Sequence, residues 1–386
     1  MAGKLPNLAE RLLIAIFVLA IAAPLVATVA GDRTEDTSEE NREAAPPPAW
    51  PDNLATLAAW PEAFTKYYAD QFAFRSALVR WQALFRVRVL GSSPTSDVIL
   101  GHDQWLYYAT DGAIEDFTGT RPFTAPELDV WRDTLQHTQD WLGARGMAYV
   151  FAIAPDKHLI YPEFMPEGVH RSVSGSRVDQ LLAHLRAHST VNAVDLRPVV
   201  RAARDHGRLF HKTDTHWNDL GALAGYQEVI RRAGEPGRKA AALHEFERHV
   251  VVRPGLDLAR MLGLKAVIEE EDLQLEPRTP RRARVIEPHN ASRALMDARV
   301  VTEQPGDAPR AVVFRDSFGS AMIPFLSEHF SRAVYAWQNE VDPALILQEQ
   351  PAVVIQEWVG RHLYTAAPYD AVTVWEYERA QRKPWK

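Results

Sequence analysis

The stretch Ala311–Ala321, AVVFRDSFGSA, decides how the chain reads. Ala311, Val312, Val313 and Phe314 form an apolar, β-branched run of the length of a buried strand, and Arg315 and Asp316 end it. Ser317 follows, and Phe318–Phe330, FGSAMIPFLSEHF, has the apolar spacing of a helix. A serine at a strand-to-helix turn presents its hydroxyl at the carboxyl edge of a sheet, beside the N–H groups that open the helix. The same serine is a good helix N-cap, so this stretch alone is compatible with a nucleophile and with a cap.

Outward from that turn, strands and helices alternate. Val98–Tyr108 reads as two short strands around a Gly-His-Asp-Gln turn, a hairpin. A helix over Ala125–Arg145 stops at Gly146, and Met147–Ala154 is a buried strand. Strand Val191–Leu196, helix Asp219–Ala233 and strands Arg332–Trp337 and Ala352–Gln356 continue the pattern. The alternation implies an α/β fold, a mostly parallel sheet flanked by helices on both faces. Asn53–Val89 has helical spacing, with Phe64, Tyr67, Tyr68, Phe72, Leu78, Trp81 and Phe85 as its buried side. Residues 238–310, with the acidic run Glu269–Asp272 and a basic cluster near Arg278–Arg284, show little periodicity and read as a less regular insertion.

Lys212–Asp219, KTDTHWND, supplies what a serine nucleophile needs. In an extended segment Asp214 and His216 project to the same side, so the carboxylate reaches one ring nitrogen and leaves the other free to act as base. A solvated loop, or a metal site that includes His211, is the competing reading of the triplet.

Four stretches together, the serine turn with GHDQWLYY (Gly101–Tyr108), APDKHLIYPE (Ala154–Glu163) and TDTHWN (Thr213–Asn218), resemble the SGNH-like alginate O-acetyltransferases of the AlgJ/AlgX type. That resemblance implies an SGNH hydrolase-like fold in which Asp214 and His216 precede Ser317, a circularly permuted order of catalytic motifs. It implies a Ser317–His216–Asp214 triad, and the Ser317 amide with Phe318–Gly319 at the helix start could supply two donors to an oxyanion. Lys157 takes an active-site role by resemblance. Trp217, Asn218 and Tyr161 extend the substrate-binding set, with Trp105, Tyr107 and Trp358 as further rings that could stack on a sugar, and Arg315 and Arg361 could meet the carboxylates of an anionic polymer. Arg315 departs from the family, which usually has glycine before the aspartate.

Composition bounds the rest. The chain has 386 residues, a formal net charge of −7 and no cysteine, which excludes disulfides, thiolate metal sites and cysteine nucleophiles and argues against nucleic acid as a partner. Leu12–Ala30 carries no charge and follows Lys4 and Arg11, the pattern of a single N-terminal transmembrane helix with everything after Gly31 outside; a signal peptide cut after Thr28-Val29-Ala30 is the alternative. The organisation expected is a membrane anchor or signal over 1–31, an acidic, proline-rich linker over 32–50 and a catalytic domain over 51–386.

The function these features imply is an O-acetyltransferase that passes acetyl groups through a serine acyl-enzyme to hydroxyls of a bacterial exopolysaccharide, without cofactor or metal. The resemblance places it at the inner membrane with its catalytic domain in the periplasm, and implies a polysaccharide acceptor and a membrane-bound acyltransferase partner that supplies acetyl. An acetylesterase with the same triad, or a non-catalytic polysaccharide-binding subunit, is the alternative.

Overall fold

The computed structural model of the chain describes residues 8–30, 45–71, 73–171, 175–287 and 299–381. Most of the expected linker, residues 32–44, lies outside the described residues, as does Phe72. The chain divides into two units, Met1–Thr95 with Ala259–Val267, and Ser96–Leu258 with Ile268–Lys386.

The described residues of the first unit include the helices Leu8–Ala30, Leu54–Gln71 and Arg75–Arg88. Among the described residues no helix is long and apolar enough to cross a membrane, and several side chains of Leu8–Ala30 lie outside them. The expected membrane span is therefore not supported by the structure and rests on the sequence alone. Phe74, in the left-handed region at φ 68°, separates the second and third helices. The aromatic stripe expected to be buried is not: Phe64, Leu78, Trp81 and Phe85 are exposed, Trp81 to 71%, while Tyr67 and Tyr68 are half-buried. Positions four apart place one ring on the next along the helix surface, Trp60 to Phe64 at 4.9 Å and Phe64 to Tyr68 at 6.2 Å, so the rings cover each other rather than fill a core.

The second unit is built on strands. β1 (Val98–Leu100) and β2 (Leu106–Tyr108) form the expected antiparallel hairpin. β3 (Ala148–Ala154) and β4 (Ala193–Asp195) come next. β5 (Phe246–Pro254) and β6 (Glu269–Pro277) pair antiparallel as a separate ribbon. The remaining strands are β7 (Arg284–Glu287), β8 (Arg299–Glu303), β9 (Arg310–Arg315), β10 (Arg332–Trp337) and β11 (Val353–Val359). Among the described residues the main sheet has seven strands in the order β4-β3-β11-β9-β10-β8-β7. β4, β3, β11, β9 and β10 run parallel, and β8 and β7 run antiparallel at one edge. The sheet is thus mixed where a mostly parallel one was expected. The irregular insertion supplies both antiparallel strands and the ribbon, and residues 288–298 of it lie outside the described residues.

β9 sits between β10 and β11, with Val313 opposite Tyr335 and Ile355. Its side chains alternate between two cores: Ala311 and Val313 enter one with the helix Asp219–Arg232, and Val312 and Phe314 enter the other with the helices Ala125–Gly143 and Arg177–His188. Because β3, β9 and β11 are parallel, Ala154, Arg315 and Val359 end at one edge of the sheet, and the loops that follow them open there. The helix expected over Phe318–Phe330 is three short pieces, Ser317–Ser320, Ile323–Leu326 and the 3₁₀ turn Ser327–His329. Pro324 lacks an N–H and its ring would meet the carbonyl one turn back, so it opens a new helix instead of continuing the first.

Phe314 is fully buried in the central strand. Phe314→Ala should cost about 3–5 kcal/mol of unfolding free energy by equilibrium urea titration; a loss under about 1 kcal/mol would contradict the burial of β9 on both faces.

Candidate active site

β9 ends at Arg315, and Asp316, in extended backbone at φ −97°, caps the helix that follows. Its Oδ1 accepts the Phe318 N–H at 2.8 Å and its Oδ2 accepts the Val359 N–H at 2.6 Å, which fastens the helix start to β11. The cap at this turn is Asp316, and Ser317, one position inside, keeps its hydroxyl for another partner. Below the turn lies Glu357, fully buried, whose Oε2 accepts the Asp316 N–H at 3.3 Å. Burial, and then the charge of Asp316, push Glu357 well above the usual carboxylate range. Burial also acts to raise Asp316, but the hydrogen bond and charge of His362, with the Val359 N–H and Arg361, outweigh it and hold Asp316 below that range. The two carboxyls are thus pushed in opposite directions, Glu357 towards its neutral form and Asp316 towards its ionised form. Gly319 is required here, because a Cβ would lie 2.7 Å from the Arg315 Cβ and 2.8 Å from Glu357 Oε2.

The second half of the site is a tight turn whose ends meet at the Phe210–Trp217 bridge and the His211 N–H to His216 carbonyl bond of 3.3 Å. Asp214 Oδ1 accepts the His216 N–H at 3.0 Å and lies 2.6 Å from His216 Nδ1, so one carboxylate oxygen both closes the turn and orients the ring. Its Oδ2 accepts the Asp257 N–H at 3.4 Å. With Nδ1 donating to Asp214, Nε2 is the free basic nitrogen, and Ser317 Oγ lies 2.7 Å from it. Burial acts to raise Asp214, but the hydrogen bond and charge of His216 hold it well below the ordinary carboxylate range. Asp214 is buried, whereas His216 and Ser317 are half-buried and open to a ligand. The Phe318 N–H, expected as an oxyanion donor, is consumed by Asp316. The Ser317 and Gly319 N–H groups open the helix and have no helical carbonyl one turn behind them.

The structure does not bring the other expected residues to the ligand side. Lys157 is buried and its Nζ donates to the carbonyls of His211, Lys212 and Asp214. Tyr161 is buried, its hydroxyl accepting the Leu209 N–H at 2.9 Å. Trp217 Nε1 donates to the Phe318 carbonyl at 3.0 Å, joining the two halves of the site from below. Asn218 caps the helix Asp219–Arg232 through the N–H groups of Leu220 and Gly221. Arg315 is buried over the Trp337 ring with Nη1 on Ser320 Oγ at 2.8 Å, and Arg361 is buried in an ion pair with Asp156. Neither arginine is free for a polymer carboxylate. Trp105, Tyr107 and Trp358 are core residues. Each of these types is ambiguous in sequence, and for Lys157, Tyr161, Trp217 and Arg361 the partner that consumes the polar group is distant in the chain. His211 faces Glu270 and Asp272 at 3.8 and 3.5 Å, which turns it away from the metal site considered for it. Asp214, His216 and Asp257 do offer ligand atoms within 4.8 Å of one another, and an ion there would displace the Asp214–His216 hydrogen bond.

Sequence reasoning missed Asp316, Glu357 and His362. The Asp-Ser pair ahead of a helical segment is an N-cap signal, and a glutamate inside the apolar strand VVIQEWV is a signal of a buried polar network.

Residues 98–339 match the family described as SGNH hydrolase-like domain, acetyltransferase AlgX. The probable alginate O-acetylase AlgJ of Pseudomonas aeruginosa is 28% identical over 326 residues, 79% of this chain and 80% of that protein. Its counterpart in Pseudomonas syringae pv. tomato is 31% identical over 172 residues, 44% of this chain, and the chain spans only 41% of that protein's length. Among solved structures, Bacillus cereus PatB1 with a sulfonyl adduct has a TM-score of 0.52 at 17% identity, covering 69% of this chain and 97% of that one, a likeness of fold.

Asp214 gives a signed pH prediction. A carboxylate held below its unfolded value, near 4, contributes stability in full above that pH and loses it as pH falls towards the folded value. Asp214→Asn should lower stability by about 1–3 kcal/mol at pH 7, and urea midpoints should show the gap narrowing at pH 3. A gap that widens in acid would contradict an ionised Asp214.

Proposed function

We propose that this chain, which belongs to the SGNH hydrolase-like acetyltransferase family of the AlgX type, moves acetyl groups through Ser317 onto hydroxyls of a bacterial exopolysaccharide. The observation that carries the reading is the run of two short hydrogen bonds, Ser317 Oγ to His216 Nε2 at 2.7 Å and His216 Nδ1 to Asp214 Oδ1 at 2.6 Å, on a half-buried hydroxyl. His216 Nε2 takes the Ser317 proton as Oγ attacks the acetyl carbonyl of the donor. The tetrahedral oxyanion faces the Ser317 and Gly319 N–H groups, and Asp214 stabilises the imidazolium and fixes its tautomer. The bond to the donor's leaving oxygen breaks, that oxygen takes the proton from Nε2, and acetyl-Ser317 remains. A sugar hydroxyl then gives its proton to Nε2 and attacks the ester carbonyl, and Ser317 leaves with the proton returned.

The names of the Pseudomonas relatives, probable alginate O-acetylases, support an exopolysaccharide as acceptor. The uncharged stretch Leu12–Ala30 after Lys4 and Arg11 supports export, with the site-bearing unit in the periplasm at the inner membrane and a membrane-bound acyltransferase as acetyl supplier.

Incubation with an activated acetyl ester should acetylate the Ser317 peptide, read by mass spectrometry, and added oligosaccharide should discharge it into acetylated sugar faster than water does. Ser317→Ala should form no adduct and lose about 10³-fold or more in rate with its fold intact, and EDTA should leave the rate unchanged. Discharge to water alone would make the protein an esterase, and an EDTA-sensitive rate restored by zinc would favour a metal at Asp214, His216 and Asp257.

A further inference from the structure

Behind the candidate site lies a lysine with almost no exposure and, among the described residues, no carboxylate bonded to it. Lys157 is 1% exposed, and its Nζ donates to the carbonyl oxygens of His211 at 3.0 Å, Lys212 at 3.0 Å and Asp214 at 2.6 Å. The rings of Trp105 and Tyr107 stand 5.6 and 5.3 Å from Nζ and close the shell. An ammonium has three N–H donors and a neutral amine has two, so three carbonyl acceptors match the charged form alone. A charge buried this deeply is unusual and costly unless it is fully bonded.

The location of these carbonyls gives the lysine its consequence. Lys157 opens the helix Lys157–Ile160 directly after β3, on the rigid edge of the sheet, whereas residues 211–214 belong to the turn that carries Asp214 and leads to His216. Other supports hold the outer side of that turn: the Leu106 N–H bonds the Lys212 carbonyl, the Leu258 N–H bonds the Thr213 carbonyl, and Glu270 takes the Thr213 N–H and hydroxyl. Lys157 grips it from inside and bonds the carbonyl of Asp214 itself.

We propose that Lys157 is a positioning residue for acyl transfer, whose ammonium, and not its neutral amine, holds residues 211–214 in the register that aims Asp214 at His216 Nδ1. This rests on the reading of Ser317 as nucleophile. The groups that face Lys157 are the carboxylates of Asp214 and Glu270 and the guanidinium of Arg208, with His158 beside it, Tyr107 above it, Asp156 paired to Arg361 and His211 turned to Glu270 and Asp272. Burial pushes Lys157 down to about 7, against Asp214 and Glu270 and with Arg208. His158, pushed down to about 4 mainly by burial, stays neutral throughout this range.

The pH dependence then has an unusual sign. As pH rises through about 7, Lys157 loses a donor and one of its carbonyls is left without a partner, so acyl transfer falls in the range where a histidine base alone would keep it high. Stability moves the other way. Between about 7 and the unfolded lysine value near 10.4 the unfolded chain binds the extra proton, so this group's contribution to stability grows with pH.

The experiment compares the full chain with Lys157→Met, which keeps the length and removes the donors, and with Lys157→Arg, whose planar fork cannot converge on three carbonyls. Wild-type kcat for acetyl transfer should decline at least fivefold from pH 7 to 9 while the thermal midpoint does not fall. Lys157→Met should lose tenfold or more in kcat at pH 7 with KM within twofold, lack the alkaline decline, and broaden or lose the downfield His216 Nδ1 proton resonance; Lys157→Arg should not restore it. Lys157→Met kcat within twofold of wild type, or an alkaline decline that persists in it, overturns the proposal. If the variant does not fold, the wild-type Lys157 Cε shift, followed by NMR, must titrate together with the His216 Nδ1 resonance, and an Nδ1 resonance indifferent to that titration overturns it. The NMR arm reads positioning without turnover, so absence of acyl transfer by Ser317 would fail the functional reading and leave the role of Lys157 separately decided.

Discussion

The site depends on one carboxylate doing the capping so that the serine does not. Asp316 takes the Phe318 N–H with one oxygen and the Val359 N–H with the other. Had Ser317 been the cap, its oxygen would be spent on a backbone N–H and aimed along the helix axis. With the cap one residue earlier, Ser317 stands at the first helical position and its hydroxyl reaches His216 at 2.7 Å. The same carboxylate joins β9 to β11, so the direction of the hydroxyl is set by the two central strands of the sheet.

A parallel sheet supplies the second constraint. Strands that run the same way release their loops at one edge, and here that edge collects Lys157 after β3, Ser317 after β9 and Arg361 after β11. His216 reaches the same place from a turn 101 residues ahead of Ser317, and Trp217 holds the two together through the Phe318 carbonyl. Sequence separation therefore costs the site little rigidity, because each half is tied to the sheet before they meet.

What was legible in the sequence follows from this packing. β9 and β10 are buried on both faces, so an apolar run announces them, and Ser317 directly after such a run stands at the edge by necessity. Asp214 and His216 were legible because their pairing is local, two residues apart. β5 was not, since FERHVVVRP is exposed along nearly all its length and no buried face imposes alternation. Its pairing with β6 comes from backbone hydrogen bonds that any side chain permits. The rings and arginines expected to meet a sugar failed for a different reason: Arg361 is spent on Asp156, Trp217 on Phe318 and Tyr161 on Leu209, all non-local partners. The aromatic stripe over residues 64–85 failed because helical spacing gives a common face without saying that anything covers it.

A carboxylate one residue from the proposed nucleophile raises the question of how an oxyanion could be stabilised beside it. Coulomb repulsion at such range is several kcal/mol unless the charge is already met, about 4 kcal/mol between unit charges 4 Å apart in a medium of intermediate polarity. Here it is met. Asp316 is bonded by two backbone N–H groups, stands 3.2 Å from His362 Nδ1 and lies in the field of Arg361, while burial and Asp316 itself push the neighbouring Glu357 towards its neutral form. The negative charge is thus compensated within the protein, and through the Phe318 N–H it fixes the helix start that carries Ser317. Gly319 makes that alignment possible, because any Cβ there would collide with Glu357 and Arg315 and tilt the helix away from the sheet. Glu357, Asp316 and Gly319 therefore act as one support: remove the Asp316 carboxylate or fill the space at Gly319, and the turn that displays Ser317 no longer fits between β9 and β11.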